Sequence, residues 1–226
     1  YDAVKGRLGD IAAFRGRLKD ADTIRAMDGL PIHEIGFVFA KSRRQVTAEA
    51  AAELVRAARS LRCAGGLPPR TVGVFVDPEP EALRDVLAAA PLDIVQLHGS
   101  ETPEYCRRIR SAFGVGVWKV FAIRGGDAPA AERMAPYAGA IDAALIDTAG
   151  GGTGAVFDWR LVADYKAAAR AIGVPLYVAG GLNEHNVREL IDTHAPDGVD
   201  VSSGVETDGA KDPVKIQSFV GRVAER

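Results

Sequence analysis

The chain has 226 residues, 47% of them apolar, which is enough to bury a large core in one α/β barrel or in two small domains. Its 28 basic and 30 acidic residues leave a formal net charge of −2, so the charge balance predicts neither a nucleic acid nor an anionic membrane as a partner. No apolar run reaches the roughly 20 residues of a membrane-spanning helix, and no stretch resembles a signal peptide. We therefore expect a cytoplasmic protein that acts on a small molecule.

The two cysteines, Cys63 and Cys106, have no paired metal-type spacing. This usage is typical of a reduced cytosolic chain rather than of a disulfide scaffold or a zinc site. We expect both thiols to be structural, and we expect Trp118 and Trp159 to be packing residues.

Short β-branched or aromatic runs alternate with alanine-rich amphipathic segments from Lys19 onwards, which is the pattern of βα units around a parallel sheet. The predicted strands are 34–39, 71–76, 93–97, 115–121, 143–146, 175–178 and 198–201. The predicted helices are 19–27, 47–61, 79–89, 102–111, 128–137, 157–172, 184–193 and 214–225. Thr47 is a plausible N-cap, and Pro103 stands early in its helix, where its missing N–H does no harm.

One further strand before Lys19 would make eight, the number in a (β/α)₈ barrel. The only short apolar run in this region is 11–14, which we take as the first strand. The prediction is a single barrel domain over 1–226, with 1–18 as an atypical first-strand region. An open doubly wound sheet is the competing architecture, but the regular return of helix and strand favours the barrel.

The stretch 144–154 carries an apolar run into a carboxylate, Asp147, and then into a glycine-rich turn ahead of a predicted helix. Backbone N–H groups in such a turn suit a phosphate or another oxyanion. A partly buried carboxylate at a strand end suits a general acid or base. The alternative is a β-to-α turn whose glycines serve geometry alone and whose aspartate caps the turn.

The active site of a (β/α)₈ barrel lies where the strands end. The polar and small residues at those positions are Lys41, Ser42, Arg43, Arg44, Asp77, His98, Arg124, Asp147, Gly180, Gly181, Asn183, Ser202, Ser203, Gly204 and Glu206. The last two turns, with Gly180, Gly181, Ser202, Ser203 and Gly204, match the phosphate site that is common after strands seven and eight, and Gly152 and Gly154 can close over the same anion.

Two further strand-end residues have open roles. Arg44 is suited to a second anionic group, since a guanidinium pairs bidentately with a carboxylate; its alternative role is that of a solvated turn arginine. His98 could point into the site, but a lone histidine at a strand end is as often structural.

These segments resemble the phosphoribosylanthranilate isomerase family of tryptophan biosynthesis. The similar stretches are 36–46 (Gly-Phe-Val-Phe-Ala-Lys-Ser-Arg-Arg-Gln-Val), 73–76, 95–99, 145–147, 151–154, 157–159, 179–182 and 200–206. They occur in order from about Lys19 to the end of the chain, and their combination is highly specific.

The resemblance implies a ribulose-phosphate-binding barrel that carries out an Amadori rearrangement without a cofactor or a metal. The substrate would be N-(5-phosphoribosyl)anthranilate and the product 1-(2-carboxyphenylamino)-1-deoxyribulose 5-phosphate. By the same resemblance Asp147 is the general acid on the furanose ring oxygen, and Arg44 holds the anthranilate carboxylate. A small phosphorylated sugar–anthranilate is then the expected partner of a monomer or a homodimer.

The chain departs from the family at the base. The family's base is a cysteine in a Lys-Ile-Cys-Gly-type motif on strand one, and this chain has no cysteine before Cys63. The motif's place falls on 14–17, with Arg15 or Gly16 where the thiol belongs, and neither is a competent base. Asp10, Asp20 or Asp22 could substitute for it. Two other functions therefore stay open: another ribulose-phosphate isomerase, and a catalytically silent barrel that binds sugar phosphates.

Overall fold

Eight parallel strands form a closed barrel in chain order. The computed structural model describes residues 12–15, 20–148 and 156–225. The strands are β1 (Ala12–Arg15), β2 (Glu34–Val38), β3 (Arg70–Phe75), β4 (Ile94–Leu97), β5 (Gly116–Ile123), β6 (Ala143–Thr148), β7 (Leu176–Val178) and β8 (Gly198–Val201). Because β1 pairs with both β2 and β8, the barrel is confirmed and the open sheet is wrong.

A helix follows each strand and covers the outside of the barrel. The helices are α1 (Ala21–Arg25), α2 (Ala48–Arg59), α3 (Pro80–Ala89), α4 (Pro103–Phe113), α5 (Ala130–Met134), α6 (Val162–Ala171), α7 (Val187–His194) and α8 (Pro213–Ala224). Thr47 caps α2 by accepting a hydrogen bond from the Ala50 N–H at 3.2 Å, and Pro103 opens α4, as predicted. No helix in the described part of the chain is long and apolar enough to cross a membrane.

The predicted boundaries fail mainly where helices begin or end in tight turns. The helix predicted over 128–137 continues beyond α5 only as a 3₁₀ turn, Ala135–Tyr137, because Pro136 lacks the N–H that an α-helix needs. The helix predicted from residue 184 begins at Val187, since a side-chain bond from the Asn183 N–H to Asn186 forms a turn there first. Asp147 lies inside β6 rather than after it.

The barrel interior is filled with side chains up to the level of the strand ends. The interior cluster is Val72, Ile94, Trp118, Val120, Ala143, Leu145, Tyr177 and Ala179. Trp118 packs on Tyr177 with 4.4 Å between ring centroids, in agreement with its expected packing role. Successive side chains of a strand alternate between its faces, so Asp147 shares the interior face with Leu145. A packed interior leaves chemistry only to the residues at the rim.

The two cysteines are buried and free. Burial raises the pKa of each thiol to about 11, and for Cys63 the nearby charge of Asp28 adds to that effect. Cys106 lies in α4 and Cys63 follows α2, both packed against the helical layer. Thiols held protonated in this way are inert, which agrees with the structural role expected for both.

The glycine-rich turn predicted for phosphate, including Gly152 and Gly154, lies outside the described residues, as do Asp10 and Gly16.

Candidate active site at the carboxyl ends of the strands

A cavity of about 400 Å³ opens at the carboxyl ends of the barrel strands. Seven of the predicted strand-end residues line it: Lys41, Ser42, Arg44, His98, Arg124, Asp147 and Ser202. The full lining is Val38, Ala40, Lys41, Ser42, Arg44, Val74, Val76, His98, Ala122, Arg124, Asp147, Asp200 and Ser202. The structure therefore brings together residues from distant parts of the chain, from Val38 to Ser202.

Asp147 lies between an imidazole and a glycine turn. Its Oδ2 is 3.6 Å from His98 Nε2, and the two side chains are 11% and 23% exposed. On its other side, a Cβ added to Gly180 would lie 2.9 Å from Asp147 Oδ1. The carboxyl group is thus close to a group that can exchange a proton with it, and it adjoins the turn that the sequence predicts for phosphate.

The turns after β7 and β8 enclose a second, smaller cavity of about 30 Å³. Gly180 and Gly181 have φ values of +89° and +67°, a conformation that favours glycine. The Asn186 amide donates to the Gly181 carbonyl at 3.0 Å and fixes this turn. Ser202 and Ser203 complete the wall from the β8 side. Asp147, Asp200 and Ser202 line both cavities, so the two carboxylates stand where the cavities join.

Arg44 is not the freely available guanidinium that the sequence suggests. Its Nε donates to Glu206 Oε1 at 2.9 Å and its Nη2 to Glu206 Oε2 at 3.1 Å, and the Arg44 side chain is only 12% exposed. The edge that pairs side-on with a carboxylate is therefore occupied. Among the described residues Nη1 makes no hydrogen bond, so the end-on edge formed by Nη1 and Nη2 is the part of Arg44 that a ligand can use. The solvated-arginine alternative is wrong.

Glu206 anchors this cluster of cations. Burial opposes its ionisation, but the hydrogen bonds from Arg44 and the charges of Lys211, Arg44 and Arg43 outweigh burial and lower the pKa of Glu206. Lys211 Nζ is 3.5 Å from Glu206 Oε1 and donates to the Ser202 carbonyl at 2.6 Å. Burial lowers the pKa of Lys211 to about 8 despite Glu206. The pair of Arg44 and Glu206 ties the loop after β2 to the loop after β8.

Replacing Glu206 by Gln is expected to destabilise the folded chain by about 3 kcal/mol at neutral pH, because it removes the buried carboxylate that pairs with both Arg44 and Lys211. A lowered carboxyl pKa stabilises the fold above the unfolded value of 4.5, and that stabilisation is lost as the pH falls through the folded-state pKa. The difference in Tm between wild type and Glu206→Gln should therefore shrink below about pH 4.5. Thermal unfolding across the acid range measures it; a difference that stays constant with pH would contradict this role.

Asp77 does not take part in the cavity around Asp147. Its Oδ1 accepts hydrogen bonds from the Ser100 N–H at 2.7 Å and the Ser100 hydroxyl at 3.0 Å, while its own N–H donates to Glu101. These bonds join the loops after β3 and β4. The expectation that Asp77 is a site carboxylate is therefore wrong, and its role is structural. Asn183 is likewise part of the turn after β7, since its N–H donates to Asn186 at 2.9 Å.

The proposed substitutes for the strand-one base are also committed elsewhere. Asp20 caps α1 by accepting a hydrogen bond from the Thr23 N–H at 2.7 Å. The Asp22 side chain is 91% exposed and pairs with Arg25. Both expectations are wrong, because each carboxylate serves the first helix. Strand β1 ends at Arg15, within the 14–17 stretch that the resemblance assigns to the base.

Sequence reasoning missed Asp200 and Lys211. Asp200 is 5% exposed and lies within β8, so it was passed over as part of an apolar strand. A usable signal was present: Asp147 and Asp200 each follow two or more buried residues near the end of a strand. Lys211, 7% exposed, lies in a short hairpin, β9 (Glu206–Thr207) with β10 (Ala210–Lys211), and nothing local in the sequence marks it as buried.

Known proteins match this chain over most of its length. The family model described as N-(5'-phosphoribosyl)anthranilate isomerase matches residues 14–222. A curated protein of that name from Brevibacillus brevis is 43% identical over 210 residues, which cover 91% of this chain and 90% of the relative.

Solved structures similar to this chain belong to the same family. The phosphoribosyl anthranilate isomerase of Thermotoga maritima is 34% identical with a TM-score of 0.74, over 94% of this chain and 97% of that one. A structure of such an isomerase in complex with reduced 1-(o-carboxyphenylamino)-1-deoxyribulose 5-phosphate is 31% identical with a TM-score of 0.71, over 94% and 97% of the two chains. The chain is a member of the N-(5'-phosphoribosyl)anthranilate isomerase family.

Proposed function

We propose that this chain catalyses the Amadori rearrangement of N-(5'-phosphoribosyl)anthranilate to 1-(2-carboxyphenylamino)-1-deoxyribulose 5-phosphate, without a cofactor. One observation carries the proposal beyond family membership. Asp147 and Asp200 stand where two cavities join, one lined by Arg44 and the other by the Gly180 turn. A substrate with an anion at each end and a reacting sugar in the middle fits that order.

The phosphate is assigned to the turns after β7 and β8. Their contributors are Gly180, Gly181, Ser202, Ser203 and Gly204, which offer backbone N–H groups and two hydroxyls, the donors that suit a phosphate. The anthranilate carboxylate is assigned to the end-on edge of Arg44, which Glu206 holds in place on its other edge. Arg124 and Lys41, both exposed at the cavity rim, add positive charge on that side.

Asp147 is assigned as the general acid. It gives its proton to the furanose ring oxygen while the bond from that oxygen to C1 breaks, and the anthranilate nitrogen donates its lone pair to form a protonated imine. Removal of the proton from C2 then gives an enol, which becomes the C2 ketone as C1 accepts a proton. Carbon C1 is reduced and C2 is oxidised, so no outside oxidant is needed. His98 at 3.6 Å is placed to return a proton to Asp147.

Incubation of the purified chain with N-(5'-phosphoribosyl)anthranilate tests the proposal. Substrate and product have the same mass, so ¹³C NMR with label at C2 is the suitable readout. Growth of a ketone signal faster than in buffer supports the isomerase. Exclusive turnover of a phosphoribosyl aldose of the histidine-pathway type favours the related isomerase instead. Binding of the reduced product ligand with no turnover of either compound favours the silent barrel, the second function that the missing strand-one cysteine motivates.

We also propose a cytoplasmic protein built as a single barrel domain over 1–226. Size-exclusion chromatography with light scattering on the same preparation distinguishes the monomer from the homodimer.

A further inference from the structure

The rearrangement needs a base for the C2 proton as well as an acid for the ring oxygen. The resemblance assigns the base to Arg15, the last residue of β1, or to Gly16. An arginine keeps its proton at any ordinary pH, and a glycine has no side chain. Both cysteines of the chain are buried away from the mouth of the barrel. Among the residues that the structure describes, we therefore look for the base in the cavity.

The strand beside β1 carries such a group. Strands β1 and β8 pair in parallel, with Ala13 opposite Asp200. Asp200 thus lies on the neighbouring strand, one strand spacing of about 4.8 Å from β1. Its side chain lines both the cavity of Arg44 and the cavity of the Gly180 turn, and the residue is 5% exposed.

Asp200 and Asp147 occupy matching register positions of β8 and β6. The registers pair Ile146 of β6 with Val178 of β7, and Val178 with Val199 of β8. One residue further along each strand come Asp147, Ala179 and Asp200. Two strand spacings put the Cα atoms of the two aspartates about 10 Å apart, and only the methyl group of Ala179 projects from the strand between them. Both residues line the same two cavities, so two carboxyl groups face one space.

This spacing suits the two proton transfers of the proposed reaction. The ring oxygen that is protonated and the carbon that loses its proton are both bonded to C1, so the acid and the base act on neighbouring atoms. Two carboxyl groups on the wall of one cavity can act on both atoms while the substrate stays bound in one position.

The charges around Asp200 suit a base. Lys211 interacts electrostatically with Asp200, and an ammonium near a carboxylate stabilises its ionised form, which is the form that accepts a proton. In the described part of the chain, Asp147 and Asp200 are the two carboxylates that line the main cavity.

We propose that Asp200 is the general base that removes the C2 proton, in place of the strand-one thiol. The inference rests on the proposed isomerase function. The Asp200 carboxylate forms an O–H bond as the C2–H bond breaks, and the electron pair of that bond forms the C1=C2 double bond while the imine nitrogen becomes neutral. The Asp200 carboxyl is then placed to return its proton to C1 while the C2 hydroxyl gives its proton to water and becomes the ketone, so that Asp200 ends the cycle ionised.

Asp200→Asn tests the assignment because it keeps the shape of the side chain and removes its basicity. We expect kcat to fall by roughly 10²- to 10⁴-fold, with the affinity for the reduced product ligand within about threefold of wild type. Asp208→Asn is the matched control: Asp208 is exposed in the neighbouring hairpin at φ +51°, where asparagine is well tolerated, and its kcat should not change. Circular dichroism and thermal unfolding establish that both variants are folded.

Asp200→Ala with added formate provides a second, independent measurement. A small carboxylate that enters the space left by the side chain should restore part of the lost rate in proportion to its concentration. Formate should not restore Asp147→Ala to the same extent, since that step needs a proton donor.

Failure of the Asp200 assignment can be distinguished from failure of the proposed isomerase function. If wild type turns over the substrate and Asp200→Asn stays within about threefold of its kcat, Asp200 is not the base although the isomerase function stands. A variant that loses ligand affinity as strongly as kcat, with no response of Asp200→Ala to formate, assigns Asp200 to binding and overturns the proposal. A wild-type chain that turns over no phosphoribosylanthranilate overturns the proposed function itself.

Discussion

Asp147→Asn is expected to lower kcat by roughly 10²- to 10⁴-fold, because the asparagine amide cannot give a proton to the ring oxygen. The change is isosteric, and Asp147 lies at the rim of a packed interior at 8% exposure, so the barrel should fold as before. Steady-state kinetics measure the loss of kcat, and the affinity for the reduced product ligand shows separately whether the binding site is still formed. Ring opening comes first in the sequence of steps, so release of the C2 proton to solvent should stop as well.

The control for Asp147→Asn is His98→Gln. His98 is 3.6 Å from the carboxylate and is assigned to reprotonate it, so its loss should slow turnover less than the loss of the acid itself. Wild-type turnover by Asp147→Asn would remove the assignment of the acid. A larger effect at His98 than at Asp147 would transfer the role of the acid to the imidazole.

Gly204→Ala is expected to raise KM strongly and to destabilise the fold by about 1–3 kcal/mol. A Cβ at Gly204 would lie 1.8 Å from the Leu182 carbonyl oxygen, which belongs to the backbone after β7 and cannot rotate away as a flexible side chain can. The turns after β7 and β8 would have to separate, and they are the two turns assigned to the phosphate. Thermal unfolding and the KM for the substrate measure the two effects.

Gly221→Ala is the matched control for Gly204→Ala. Gly221 is within α8, and a Cβ there meets nothing within 4 Å, so alanine should stabilise the helix by up to about 1 kcal/mol with no change in KM. If Gly204→Ala keeps the wild-type KM and Tm, the turn after β8 neither packs as described nor takes part in binding.

The repeating βα pattern made the fold predictable, because every strand from 34–39 to 198–201 is a short apolar run between amphipathic helices. The first strand was harder. Strand β1 is four residues long, and a sequence pattern that short does not distinguish a strand from a buried turn. Its identity follows from closure: without a strand between β2 and β8, two edges would stay unpaired.

The location of a residue at the cavity was predictable where it depends on the residue's own strand end, as for Asp147 and the Gly180 turn. A residue's role was not predictable where a distant partner decides it. Arg44 reads as a free cation until Glu206, 162 residues away, occupies one edge of it. Asp77 reads as a site carboxylate until Ser100 binds it. Asp200 was missed for the opposite reason, since an acidic residue within a run of buried positions shows its direction only once the register of the barrel is known.

The most direct test of catalysis by this cavity is the rate at which wild type and the double variant Asp147→Asn/Asp200→Asn convert N-(5'-phosphoribosyl)anthranilate, both with the reduced product ligand shown to bind. We expect wild type to form the ketone at an enzymatic rate, on the order of 1 s⁻¹ or faster, and the folded, ligand-binding double variant to fall to the rate in buffer. Equal rates for the two proteins, whether both fast or both at the buffer rate, would contradict an acid and a base at these two positions.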